Sequence, residues 1–293
     1  MYRHRYNSHG EILHTLSEAT GDAMTQLIGA ICEDGKTVIA VSDRMVSTGD
    51  MTLTFEHPRM KAERLTEKAI VLTAGTVHEP DLLRQAREKA KGKDRILEIA
   101  DVVKDVYQDV REKHIVDEVL RPHTGLTSLA DWRNEQKNLH DHLVISLNEE
   151  IANYGLGLTL MLVGFDDEGH LIRINDPGTY RSYDNLSYCC LGMGNRHADN
   201  TFAWYRYSRL FPVNDALYIA FEAKKKAEMA GGVGSSTDIL IINAEGTKEV
   251  AVETIVKLEA IYHDRESRRE RTGFDKKITE LEIQANSLED SRD

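Results

Sequence analysis

Three residue types that could act together on an amide bond stand at the ends of predicted β-strands. Thr25 opens the apolar segment 26–32, and Asp43 follows the partner segment 37–42, with a tight Asp-Gly turn between the two. Lys61 opens the next predicted hairpin, which closes on Gly75. A hydroxyl, a carboxylate and an ammonium group at neighbouring strand ends can converge on one point. Since a hydroxyl is a weak nucleophile until a neighbouring group activates it, this convergence predicts a nucleophilic hydrolase.

The strands that must position these residues are marked by apolar runs between turn residues. The runs 26–32 and 37–42 are almost continuously apolar, which predicts strands buried on both faces. The second hairpin pairs 60–65 with 69–74. Residues 50–56 alternate between apolar and polar, which predicts a short edge strand.

The rest of the chain alternates between a helical and an extended hydrophobic period. The predicted helices are 80–90, 96–119, 129–154, 196–208 and 213–230. The predicted later strands are 158–165, 170–175, 188–191 and 238–243. This order of strands, helices, strands, helices and strand predicts a mixed α/β (α+β) fold, with helices layered on two stacked sheets.

Charge and composition restrict the class of function. The 293-residue chain has 49 acidic and 37 basic residues, a net charge of −12, so non-specific nucleic-acid binding is not expected. No apolar run reaches the roughly 20 residues that span a bilayer, and the first twenty residues lack the apolar stretch of a secretory signal. The three cysteines, Cys32, Cys189 and Cys190, are predicted to be reduced and buried. We therefore expect a cytoplasmic protein without membrane association.

No cofactor or metal site is predicted. His140 and His142 are separated by one residue, which points their side chains apart on a helix, and His114 with Glu118 offers only two ligands. The glycine-rich segment 231–234 is not followed by Lys-Ser or Lys-Thr, so it is not a nucleotide-binding loop. It is interpreted as the turn into the last strand.

Several segments, taken in order over residues 25 to about 260, resemble the subunits of the proteasome family. The apolar strand ending in Asp43-Arg44 and the fourteen-residue spacing of Lys61 and Gly75 both resemble family segments. The hairpin 162–178 is similar to a third segment of the family. The likeness continues through Leu191–Gly194, Asp215-Ala216 and 238–246. The chain resembles in particular the β-type subunits of bacterial or archaeal proteasomes, which are N-terminal-nucleophile hydrolases. It implies a four-layer αββα sandwich of two stacked, mainly antiparallel sheets flanked by helices.

The resemblance also implies roles for individual residues. Thr25 would be the nucleophile, with its own free α-amine as the base, so Thr25 would have to become the first residue of the mature chain. Lys61 would place a cation beside the hydroxyl, and Asp43 would hold Lys61 in position. The backbone N–H of Gly75 would form the oxyanion hole. The implied substrate pocket consists of Met45, Thr73 and Val77.

The chain departs from the family pattern at the residues that normally orient the threonine amine. Met193 stands where the family carries a serine between two glycines. Glu228 could replace the usual aspartate, and Ser235 or Ser236 the usual serine, although neither replacement stands at the expected place. The residue before Thr25 is Met24 rather than glycine, so a free Thr25 requires either self-cleavage of a propeptide or translation from Met24.

Three regions are predicted. Residues 1–24 form an N-terminal extension or propeptide, and 25–262 form the proteasome-like domain, with an extended helical insertion at about 105–155. Residues 263–293 form a charged helical tail with apolar residues at 3-4-3 spacing, which suits a surface or partner helix.

Three functions are compatible with these observations. The first is a threonine-type endopeptidase that cuts peptides or unfolded proteins within a ring-like or stacked homo-oligomer, for which the resemblance allows an ATP-dependent unfoldase as a partner. The second is a catalytically inactive, structural proteasome-like subunit. The third is an amide hydrolase or ligase of the same fold with a narrow substrate.

Overall fold

The computed structural model describes residues 25–47, 54–58, 60–75 and 80–272. Within these ranges the protein is a mixed α+β structure with antiparallel sheets of five, two and five strands. The predicted mixed α and β content and the mainly antiparallel strand pairing are therefore confirmed. The predicted extension 1–24 and most of the predicted tail lie outside the described residues.

The strands are β1 Gln26–Cys32, β2 Thr37–Ser42, β3 Met45–Ser47, β4 Thr54–Glu56, β5 Ala62–Thr66, β6 Ala69–Gly75, β7 Leu158–Phe165, β8 Gly169–Asn175, β9 Thr179–Ser182, β10 Tyr188–Gly192, β11 Asp238–Asn243 and β12 Gly246–Glu249. The helices are α1 Pro80–Ala90, α2 Ile96–His114, α3 Arg121–Thr124, α4 Leu129–Glu135, α5 Asp141–Asn153, α6 Asn195–Trp204, α7 Val213–Ala227 and α8 Val252–Thr272.

The first five-stranded sheet has the order β10-β1-β2-β11-β12. Every residue of β1 and β2 is buried, as their continuous apolar runs predicted. The turn between them needs a left-handed backbone at Gly35, whose φ is 90°. A side chain at this position would collide with the guanidinium group of Arg209, so a glycine is required there.

The second five-stranded sheet has the order β5-β6-β7-β8-β9. One buried cluster joins this sheet to α1 and α2. Helix α2 contributes Ile96, Ile99, Val103 and Val106, which recur at three- and four-residue intervals and so share one face. Burying a side chain of this size contributes about 1.5–3 kcal/mol, so this face fixes the helix on the sheet.

Another buried cluster combines side chains from both five-stranded sheets. It includes Leu27 of β1, Leu72 of β6 and Met161 of β7. Gly29 in the middle of β1 lies against Leu171 of β8, where a β-carbon would collide with the leucine side chain. The two sheets therefore contribute to one continuous core.

The predicted helical insertion forms its own small core. Helix α2 continues into a π-helical segment, Ile115–Leu120, and then into α3, which ends at Gly125 with a φ of 73°. The predicted helix 129–154 is divided into α4 and α5 by a short break. Trp132 and Leu147 are buried together with residues of the π-helical segment. Ser128 caps α4 by accepting a hydrogen bond from the N–H of Asp131.

The predicted strand 50–56 is represented in the described residues by β4, which pairs with β3 in the two-stranded sheet. The chain divides into two compact units after Val250. The second unit contains α8. No helix in the described ranges has both the length and the apolar character needed to cross a membrane.

Candidate active site

Asp43 is a fully buried carboxylate that four donors surround. It directly follows β2, whose last residue pairs with both neighbouring strands. Its Oδ1 accepts hydrogen bonds from the backbone N–H of Gln26 at 3.0 Å and from Nζ of Lys61 at 2.7 Å. Its Oδ2 accepts from the backbone N–H of Met45 at 3.2 Å and of Gly234 at 2.9 Å. These donors compensate the loss of hydration that a buried charge suffers.

Lys61 brings a cation to the Thr25 hydroxyl. Its side chain is only 11% exposed, and Nζ contacts both Oγ1 of Thr25 and the carboxylate of Asp43. The backbone is fixed as well, because the carbonyl of Lys61 accepts a hydrogen bond from the N–H of Thr73. Burial lowers the pKa of Lys61, and the ion pair with Asp43 opposes that effect without cancelling it.

Thr25 is buried at the start of β1, with 3% of the residue exposed. Its carbonyl accepts a hydrogen bond from the N–H of Met193 at 3.1 Å. Gly192 lies so close to this carbonyl that a β-carbon would collide with it, and its φ is 106°. The turn after β10 therefore holds the backbone of the predicted nucleophile, and only glycine fits at Gly192.

Lys224 is a second buried cation near this site, and the sequence analysis missed it. Its side chain is fully buried, and Nζ donates to Oε1 of Glu228 at 2.5 Å and to the carbonyl of Ser235 at 2.8 Å. Burial lowers the pKa of Lys224. The charge of Lys224 in turn contributes to the lowered pKa of Lys61. One sequence feature indicates its burial: Lys224 lies on α7 four residues after the buried Ala220, and so on the same helix face. The run of three lysines that contains it is instead typical of a solvated segment.

The predicted stand-ins Glu228 and Ser235 contact other residues. The hydroxyl of Ser235 donates to Oε1 of Glu56 at 3.1 Å, and Ser236 donates to the same carboxylate through its N–H and its hydroxyl. The hydrogen bonds from Ser236, with those from Ser235, lower the pKa of Glu56 to about 2. Within the described part of the chain, no hydrogen bond joins Glu228 or Ser235 to Thr25. They act on the site indirectly, by fixing the loop whose Gly234 N–H reaches Asp43.

The predicted oxyanion and pocket residues that the structure describes lie on two strands of different sheets. Gly75 ends β6 with a φ of 112°, and a side chain there would collide with the carbonyl of Gly157. Thr73 lies on the same strand, and Met45 opens β3 beside Gly234. Val77 lies outside the described residues.

Arg44 fixes the end of β2 next to Asp43. Its guanidinium forms a bidentate pair with Asp238, from Nε to Oδ2 at 2.9 Å and from Nη2 to Oδ1 at 2.5 Å. Asp238 opens β11, which pairs with β2. Asp43 therefore contributes its side chain to the buried site, whereas Arg44 links β2 to β11 through its ion pair.

The arrangement places a hydroxyl, an ammonium and a carboxylate in one buried chain of contacts. The ammonium can stabilise negative charge developing on Oγ1 of Thr25, and the carboxylate holds the ammonium there. Over the described ranges, no group of three or more His, Cys, Asp or Glu side chains is arranged to hold a metal ion.

Comparisons with known proteins add no assignment. A scan against protein-family models found no match, and a search of curated proteins found none either.

Proposed function

We propose that this chain is a threonine-type peptidase of the N-terminal-nucleophile class, similar to proteasome β subunits. The observation that carries this proposal is the contact of the buried Lys61 ammonium with Oγ1 of Thr25, while Asp43 holds Lys61 from the other side. Packing alone does not require a buried lysine in contact with a buried threonine hydroxyl. It suits a hydroxyl that must carry negative charge during a reaction.

In the proposed reaction, Oγ1 of Thr25 attacks the carbonyl carbon of a peptide bond, and its proton passes to the α-amine of Thr25. The C–N bond then breaks, the proton goes to the leaving amine, and an ester joins the acyl group to Oγ1. Water hydrolyses the ester and restores the hydroxyl. The backbone N–H of Gly75 is the proposed donor to the oxyanion, a contribution of about 3–4 kcal/mol in comparable sites.

The proposal includes a four-layer αββα sandwich. The core cluster shared by both sheets and the cluster that joins α1 and α2 to the second sheet support it. It also includes a cytoplasmic location, a ring-like or stacked homo-oligomer, and peptides or unfolded proteins as substrates, with an ATP-dependent unfoldase to deliver them.

The test begins with the intact mass of the mature protein, which should correspond to a chain starting at Thr25. Such protein should hydrolyse unstructured peptides and react covalently with a β-lactone or epoxyketone probe. T25A should abolish both activities, and T25S should retain part of them, because serine keeps the hydroxyl and the amine. An active T25A variant would refute the role of Thr25.

A catalytically inactive, structural subunit is the second candidate. One observation favours it: Ser235 and Glu228, the stand-ins for the residues that orient the amine, contact Glu56 and Lys224 instead. A mature protein that retains residues 1–24 and resists both probes would support this candidate over the peptidase.

A further inference from the structure

A polar cleft lies along the paired strands β8 and β9, and none of its residues belongs to the site around Thr25. Its volume is about 220 Å³. The lining residues are Arg173, Asn175, Asp176, Thr179, Arg181 and Tyr183.

The two arginines lie directly opposite each other in the strand register. Like charges in this position destabilise a pair of strands unless something neutralises them. Within the described part of the chain, neither guanidinium group forms an ion pair or a hydrogen bond. Nε of Arg173 is buried there without a hydrogen-bond partner. Folding therefore leaves a donor and two positive charges unmatched at this point.

The one acidic residue in the lining, Asp176, is already engaged. Its Oδ1 accepts a hydrogen bond from the N–H of Leu156 at 2.8 Å, and its Oδ2 accepts from the N–H of Gly157 at 3.0 Å. Both oxygens serve the backbone that leads into β7. The carboxylate thus holds that backbone and does not pair with either arginine.

We propose that this cleft binds a small tetrahedral oxyanion, inorganic phosphate or a phosphate monoester. Two guanidinium groups supply planar, forked donors that match the oxygens and the double negative charge of phosphate. Thr179 and Tyr183 add hydroxyl donors on the same lining. Asn175 adds one amide hydrogen, because its side-chain amide donates the other to the carbonyl of Asp176 at 3.1 Å. A carboxylate, with two oxygens and one charge, would leave part of this donor set unused. The inference does not rest on the proposed peptidase activity.

The test is isothermal titration calorimetry of the full-length protein with inorganic phosphate, with ionic strength held constant by chloride. Acetate and a soluble phosphate monoester are titrated separately. We expect phosphate or the monoester to bind at least ten times more tightly than acetate. R181M and R173M should each weaken binding at least ten-fold, and R181K should weaken it less, because lysine keeps the charge but loses the fork.

R84M is the matched control, since Arg84 is an exposed arginine that pairs with Asp81 on α1. It should leave phosphate binding unchanged. Arg181 is exposed on a short strand, so its variants test the site without removing core contacts. Phosphate binding no tighter than acetate, or binding that survives in both R181M and R173M, would overturn the proposal.

Discussion

The site around Asp43 and the cleft of Arg173 each contain two basic side chains, but only the first supplies carboxylates for them. Lys61 pairs with Asp43, and Lys224 pairs with Glu228. The arginines of the cleft have no such partners in the described residues. Charges that the fold neutralises internally can hold neighbouring groups in place, whereas charges that it leaves unmatched at an open cleft are available to a ligand.

His170 gives a third arrangement, with two carboxylates for one titratable group. Its Nδ1 lies 2.8 Å from Oδ2 of Asp184, and its Nε2 lies 3.0 Å from Oδ1 of Asp166. These contacts, the one with Asp184 above all, raise the pKa of His170 although burial opposes this. Around Lys61 the balance is reversed, because burial outweighs one carboxylate. The direction of each pKa shift therefore follows from whether burial or the neighbouring carboxylates contribute more.

The largest expected effect comes from removing the charge at Asp43. D43N would leave the Lys61 ammonium buried without a counter-charge, which should cost about 3–5 kcal/mol in the free energy of unfolding. It should also abolish the proposed activity. Urea denaturation measures the first effect and peptide hydrolysis the second.

D81N is the control for that substitution. Asp81 pairs with Arg84, and both side chains are more than two-thirds exposed. Such a pair contributes at most about 1 kcal/mol. If D43N were no more destabilising than D81N, the buried pair of Asp43 and Lys61 would not stabilise the fold.

Replacing Lys224 tests whether the second buried cation acts on the first. K224M keeps most of the side-chain volume but removes the hydrogen bonds to Glu228 and Ser235, which should cost about 1.5–3 kcal/mol. It should also raise the pKa of Lys61, because a neighbouring positive charge is lost. The rate of reaction with a β-lactone is measured against pH. The fall of this rate at alkaline pH should therefore occur at higher pH in K224M.

K225M separates this effect from a general loss of stability. Lys225 also pairs with Glu228, at 2.9 Å, but does not contribute to the lowered pKa of Lys61. Its pH profile should match that of the unaltered protein. A K224M profile with an unmoved alkaline limb would limit Lys224 to a structural role.

The effect expected at His170 reaches its full size only at acidic pH. A raised pKa means that the folded state holds the proton more tightly, so the stabilisation is complete below the unfolded pKa near 6.5 and is lost as the pH rises through the folded pKa. H170N should therefore cost about 1.5–3 kcal/mol at acidic pH and less at alkaline pH. Urea denaturation of both proteins across this range measures the difference.

H142N, on the exposed side of α5, controls for the substitution itself. A stability gap between H170N and the unaltered protein that stayed constant from acidic to alkaline pH would contradict the charged arrangement with Asp166 and Asp184.

Local pattern was sufficient for most of the secondary structure. The bounds of β1, β2 and β11 agree with their apolar runs, because a strand buried along its length selects apolar residues at most positions. The pattern is less informative in the segment 129–154. It predicts one continuous helix there, whereas a short break separates α4 from α5 in the structure. Polar residues in this break satisfy either a helix or a turn, so the sequence does not distinguish them.

The residues at the strand ends follow from local pattern, since Thr25, Asp43 and Lys61 are each placed by the hydrophobic run beside them. Folding in three dimensions buries Lys224 near Lys61, brings Ser235 to Glu56 and sets Arg173 opposite Arg181. A hydrophobic period records how one segment meets the core. It does not indicate which distant segment faces a given polar side chain. The contacts between distant segments set the charge balance of each site.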